Sequence, residues 1–364
     1  MTVTGHRSML MVMPGLDPVG TGRQIELAAG AFRDAGWDVT IAVGTLGGAV
    51  PQRLQAGGFR VQAIGTRPGF DASAAVRLVR LVAGLRPTVI HAWGRAAAGL
   101  VGAVQTLALG PRAVAHLATG PRTRLVGHAL RRFDRVIAVS DGVAGRCAAV
   151  GVPSDRIDVI PPGIVAADPS GIDRAEIARR LGLRIDAQWT LCVAPLAPAA
   201  RLERLLWAID QLAVVHREVE HVLVGQGRLF DRVLRRARVQ QLTDRLRVVS
   251  HIGFVPDLVR ESGLVWQSGD VAYGGALLDG LAAGVPAVGV AADAARQIIA
   301  DGETGRIVDA DPESEFPRRA FQILEDRDLA SRYAAAARRR AAEHFAAGPA
   351  LARHVEAVEG VVRR

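Results

Sequence analysis

From Ser8 to Val308 the chain alternates short apolar or β-branched runs with longer stretches whose apolar residues recur every three or four positions. Strands that alternate with helices must pair in parallel, and each crossover is then right-handed. This alternation alone commits the chain to an α/β, doubly wound layer. Ser8–Met13 reads as the first strand, ended by Pro14-Gly15, and Arg23–Ala35 places Ile25, Leu27, Ala28, Ala31 and Phe32 at helical spacing, with Gly36 as its stop. Strands follow at Asp38–Val43, Arg60–Ile64, Thr88–Ala92, Arg112–His116 and Arg135–Val139, with a helix at Ala72–Leu85.

A second series runs through Thr190–Val193, His221–Val224, Arg247–His251, Leu264–Trp266, Ala287–Val290 and Arg306–Val308. Between the two, Pro161, Pro162, Gly163 and Pro169 punctuate a linker over Gly163–Asp173. The 364 residues suffice for two domains with their own cores. The expected division is 1–165 and 166–364: two Rossmann-like domains facing across a cleft, the second carrying C-terminal helices. Those helices cover Asp328–Val362, with a break near Gly348-Pro349. Ligands of such sheets bind beyond the carboxyl ends of the strands.

Composition narrows the function. The net charge is +9, yet all 45 cationic residues are arginine and none is lysine, a pattern of a GC-rich bacterial genome more than of a nucleic-acid patch. Aromatic residues make up 4%, too few for base-stacking platforms, so no nucleic-acid partner is expected. Two cysteines, Cys147 and Cys192, exclude a disulfide scaffold or a Cys-rich metal module. No apolar run approaches the ~20 residues that span a bilayer, and a cytoplasmic location is expected. Arg131 and Arg132 beside Leu125, Val126, Leu130 and Phe133 mark one helix for weak peripheral contact with the inner face of a membrane.

Several segments, in order, resemble the glycosyltransferases of family four, of GT-B fold. They are Val19 to Val39, Arg135-Val-Ile-Ala-Val-Ser-Asp141, Gly151 to Gly163, Leu223-Val-Gly-Gln-Gly227, Gly253-Phe-Val255, Asp279 to Pro286 and Asp301 to Val308. The resemblance implies transfer of a sugar from a nucleotide-sugar donor to a glycan, glycolipid or lipid-linked acceptor, with retained anomeric configuration and no metal or other cofactor. It implies donor binding by Gly20, Gly22, Gly225, Gly227, Ser268, Gly274 and Asp279, to which Arg201 is added as a substitute cation, and a catalytic or acceptor-side role for His116. The glycines have a physical reason of their own: Gly20 and Gly22 open the first helix, and Gly225 and Gly227 follow a strand, where a missing Cβ lets backbone N–H groups approach a phosphate.

The chain also departs from the family. The Arg and Lys that neutralise the donor diphosphate fall on Pro195 and Ala200, and the first Glu of an acidic pair falls on Val271. Asp279 retains the second acidic position, and Arg201 stands one residue beyond the lost Lys. Hydrogen bonds to charged groups contribute roughly 1.5–3 kcal/mol each, so three losses forfeit about 4–9 kcal/mol. That is roughly 10³–10⁶ in donor affinity or rate. Two functions therefore compete: a glycosyltransferase with substitute cations such as Arg201, Arg228 or Arg296, and an impaired GT-B protein that acts as a partner or scaffold.

Overall fold

The computed structural model describes residues 7–15, 20–47, 49–65, 72–105, 110–165 and 171–363. The chain divides into two compact units, Met1–Gly163 with Ala347–Arg364, and Ile164–Ala346.

The first unit carries β1 (Ser8–Met13), α1 (Thr21–Asp34), β2 (Asp38–Val43), α2 (Ala49–Ala56), β3 (Arg60–Ala63), α3 (Ala72–Leu85), β4 (Val89–Trp93), α4 (Gly94–Gln105), β5 (Arg112–Leu117), α5 (Arg124–Leu130), β6 (Arg135–Ala138), α6 (Asp141–Ala149) and β7 (Ile157–Val159). Its parallel sheet has the order β3-β2-β1-β4-β5-β6-β7. The order reverses between β1 and β4, so their carboxyl ends flank the switch point where ligands of such sheets bind. Both central strands are buried along almost their whole length, as a sheet covered on both faces requires.

The second unit follows with α7 (Arg174–Leu181), β8 (Gln188–Val193), α8 (Leu202–Val215), β9 (Val219–Val224), α9 (Phe230–Val239), β10 (Leu246–Val249), α10 (Val255–Glu261), β11 (Leu264–Gln267), α11 (Leu277–Ala283), β12 (Ala287–Val290), α12 (Asp293–Ile298), β13 (Gly305–Val308), α13 (Glu315–Glu325) and α14 (Arg327–His344). Its sheet, β10-β9-β8-β11-β12-β13, is again parallel and reverses between β8 and β11. The last helix, α15 (Ala347–Val362), returns to the first unit.

Three differences from the sequence expectation have physical causes. The expected second domain, 166–364, loses its final helix to the first unit. The side of α15 with Ala347, His354, Val358 and Val361 is buried there, and His354 lies 5.5 Å from Phe32 of α1. Helical periodicity shows that a buried face exists, not which sheet it covers. The break before α15 falls at Phe345-Ala346, ahead of Gly348-Pro349, because a proline in the first turn surrenders no helical hydrogen bond. Strand β7 is three half-buried residues, too short for any period to register. Of the expected linker, 166–170 lies outside the described residues.

Candidate functional site

In the first unit, the chemistry collects on β4 and β5. His91 and Trp93 are two apart on β4 and share one face of the sheet, and Trp93 is the register partner of His116 on β5. The pairing stacks the Trp93 and His116 rings at 4.1 Å and 9°. From α15, His354 closes over them: its Nε2 lies 3.3 Å from His91 Nε2, and its ring 4.9 Å from that of His116. Phe32 stands edge-on to both His91 and His354. All three histidines are buried, and one ring nitrogen of each lies within 4.8 Å of the others, so they could hold a metal ion.

Burial sets their charge state. It lowers the His91 and His116 imidazoles well below the ordinary value of 6.5, with His354 adding repulsion to both. Burial alone brings His354 down to about 3. At neutral pH the cluster therefore presents lone pairs, not cations. Gly20 begins α1 at φ 74 and ψ −117, a conformation open to glycine, and Gly22 is buried in the first turn. Residues 16–19 of the loop between β1 and α1 lie outside the described residues.

In the second unit, the loops after β8, β9 and β11 are tied into one structure. Ser268 Oγ donates to the Ala200 carbonyl at 2.6 Å, and Asp270 N donates to that of Ala199 at 2.9 Å. Leu196 N donates to the Gln226 carbonyl at 2.8 Å, and Leu229 N to the Leu196 carbonyl at 3.0 Å. Glycine is required at the crossings: a Cβ on Gly225 would run into the carbonyl of Ala194, and one on Gly227 into that of Leu196. Both glycines thus serve the approach of one protein backbone to another.

The same loops hold two of the four non-glycine residues with positive φ among those described, Arg201 at 50° and Tyr273 at 55°. Tyr273, Gly274 and Gly275 form a run of positive φ directly before α11, in whose first turn Asp279 is buried. Such strain persists only where the surroundings over-determine it. Arg201 is exposed at the start of α8, and Arg228 is exposed beyond Gly227. Arg296 faces Asp309 at 3.7 Å. Of the three positions where charge was expected, Ala200 and Val271 belong to the apolar core of this unit and Pro195 is exposed.

The sequence-derived residues thus form two groups. Arg201, Ser268, Gly225, Gly227, Gly274 and Asp279 lie on interlocked loops at the switch point of the second sheet, and Gly20, Gly22 and His116 lie in the first unit. The sequence reading singles out His116 and gives no role to His91, Trp93 or His354. Only the burial of a polar residue on an otherwise apolar helix face could have marked His354. The helix expected to meet lipid buries Leu130 and Phe133 and leaves Leu125 exposed. Gly127, Ala129 and Leu130 are buried, and the missing Cβ of Gly127 admits Val150.

Comparison with known proteins follows this division. The model of Glycosyltransferase Family 4 matches residues 19–167, and that of Glycosyl transferases group 1 matches residues 173–340. A phosphatidyl-myo-inositol mannosyltransferase of Mycolicibacterium smegmatis is 29% identical over 217 residues, covering 56% of this chain and 52% of the relative. A D-inositol 3-phosphate glycosyltransferase of Acidothermus cellulolyticus is 26% identical over 220 residues, or 56% and 49% of the two chains. The chain thus spans about half the length of the curated relatives it matches. The solved structure of Anabaena Alr3699/HepE in complex with UDP-glucose shares the fold, with TM-score 0.83 and 18% identity over 98% of this chain and 100% of that one. With one family model on each half of the chain and the fold shared throughout, the chain belongs to glycosyltransferase family 4, the group 1 glycosyl transferases of GT-B fold.

Proposed function

We propose that the protein is a hexosyltransferase that moves a sugar from a nucleotide-sugar donor to a hydroxyl of a glycan or lipid-linked acceptor. The observation that carries this reading is the interlocked loop set at the β8/β11 switch point, with Arg201 opening α8 and Asp279 buried in the first turn of α11. In this reading the diphosphate meets the α8 N-terminus and the Arg201 and Arg228 guanidiniums, and Asp279 accepts the ribose hydroxyls. The charge that develops on the departing diphosphate is stabilised by fixed N–H groups and arginine without a metal, and the transferred sugar keeps its anomeric configuration. On the acceptor side, His116 offers a neutral imidazole to the acceptor hydroxyl. An inositol-bearing or other polyol lipid fits the names of the relatives, and an arginine-rich surface suits weak contact with an anionic membrane from the cytoplasm. No helix among the described residues is long and apolar enough to cross a membrane.

The placement of Ala200 and Val271 in the apolar core favours a second reading, an impaired family member that serves as a partner for an active transferase. Metal-free calorimetric titration with UDP, GDP, ADP and their sugar conjugates separates the two. Micromolar binding of one nucleotide, weakened about tenfold by Asp279→Ala, supports the transferase. No heat at millimolar nucleotide from folded protein removes it in favour of the partner.

A further inference from the structure

We propose that His91, His116 and His354 form a binding site for one late first-row divalent metal ion, zinc by their chemistry, within the first unit and separate from the donor loops. The ligand set is three imidazoles without carboxylate or thiolate, which suits zinc, cobalt, nickel or copper over magnesium, calcium or manganese. Zinc–nitrogen bonds of about 2.0–2.1 Å place tetrahedral ligands about 3.3–3.4 Å apart. His91 Nε2 and His354 Nε2 stand at 3.3 Å, and the full group lies within 4.8 Å.

The rings are held before any ion arrives. Two of them project from adjacent strands, His116 is stacked on Trp93, and Phe32 backs His91 and His354. Without an ion, this arrangement is expensive: three imidazoles are buried together, and the 91–354 pair makes one hydrogen bond between like rings. An ion on the facing lone pairs would offset that desolvation, clamp α15 onto β4 and β5, and leave a fourth position for water or an anion. His116 would then be a ligand and not a free imidazole, so metal binding and the acceptor role proposed above exclude each other at any one moment.

The test is calorimetric titration of the metal-stripped chain, carrying no histidine tag, with Zn²⁺ alone, and with Co²⁺ read by visible absorption. The expected result is one equivalent per chain, a rise in Tm with Zn²⁺, and the absorption of a four- or five-coordinate cobalt ion. His91→Leu and His354→Leu keep the site apolar and close in volume, and both should lose stoichiometric binding and the Tm rise while remaining folded by circular dichroism. His344→Leu, at an exposed histidine, should retain both. Should His354→Leu not fold, His354→Gln serves the same comparison. Absence of uptake by folded protein overturns the proposal, and so does uptake unchanged in the 91 and 354 variants, which would place the ion on the surface. Nucleotide titration of the stripped chain reports on the second unit independently, so either reading can fail alone.

Discussion

The two units build on one parallel α/β architecture to opposite effect. On β4 and β5, the first unit gathers His91, Trp93 and His116 under His354 of α15, a polar and aromatic cluster in the core. Beyond β8 and β11, where a charged site is expected, the second unit closes its loops backbone to backbone and puts Ala200 and Val271 into apolar packing. Position relative to the sheet says where chemistry can be built. It does not say whether the side chains there are polar, and each unit answers differently.

The sharpest way to break the comparison is in the first unit. Trp93→Ala removes the ring stacked on His116 and leaves a large void, and should cost about 3–5 kcal/mol in urea unfolding. An effect below about 1 kcal/mol would show that the cluster is not a packed unit.

Restoring the family carboxylate in the second unit tests its closure. Val271→Glu places an acid in the apolar core and should destabilise by about 3 kcal/mol or more without improving nucleotide binding. A tolerated variant with tighter nucleotide binding would mean that the loops open readily onto a donor.

Acid sharpens the contrast through a buried histidine of the second unit. Trp266 Nε1 donates to Thr190 Oγ1 at 2.8 Å, and Thr190 stands 2.6 Å from His221 Nδ1. With the indole as donor, the hydroxyl proton goes to the imidazole, which acts as acceptor. Burial brings His221 from 6.5 down to about 3, with Arg245 and His216 adding repulsion. The unfolded chain then binds the proton that the folded one refuses. The stability is present in full above pH 6.5, falls with acidification and is lost as the pH approaches 3. The loss at pH 4 should be on the order of 3 kcal/mol. His221→Leu should flatten the stability profile between pH 6.5 and 4 by that amount, and an unchanged slope would place the acid sensitivity elsewhere.

The smallest expected effect is at Ser268→Ala, which strips the Ala200 carbonyl of its hydroxyl partner. It should cost about 1 kcal/mol of stability. A larger loss, with weaker nucleotide binding, would make this bond the latch that shapes the donor loops.

Much of this was legible in the chain. Ser8–Met13, Asp38–Val43, Ala72–Leu85 and Ala287–Val290 match their expected bounds, and most other elements shift by one or two residues, because period and punctuation are local properties. The sequence expects a phosphate to approach the glycines at 225 and 227, and in the structure the chain itself approaches them, at Ala194 and Leu196. Nothing near them in sequence carries that information, since the partner lies some thirty residues upstream. Val271 was read as a lost charge, and its membership of a core depends on helices and strands from across the unit.

The sequence by itself determined the doubly wound α/β class, two units and the bounds of most strands, because each follows from local pattern. Only the tertiary structure decided that α15 closes the first unit, that His354 meets His91 and His116, and that the β8 loop is sealed against those after β9 and β11. Those outcomes depend on which buried faces meet. Apolar burial is non-directional, so a helix face can be read from its residues, while its partner is chosen by the packing of the whole unit.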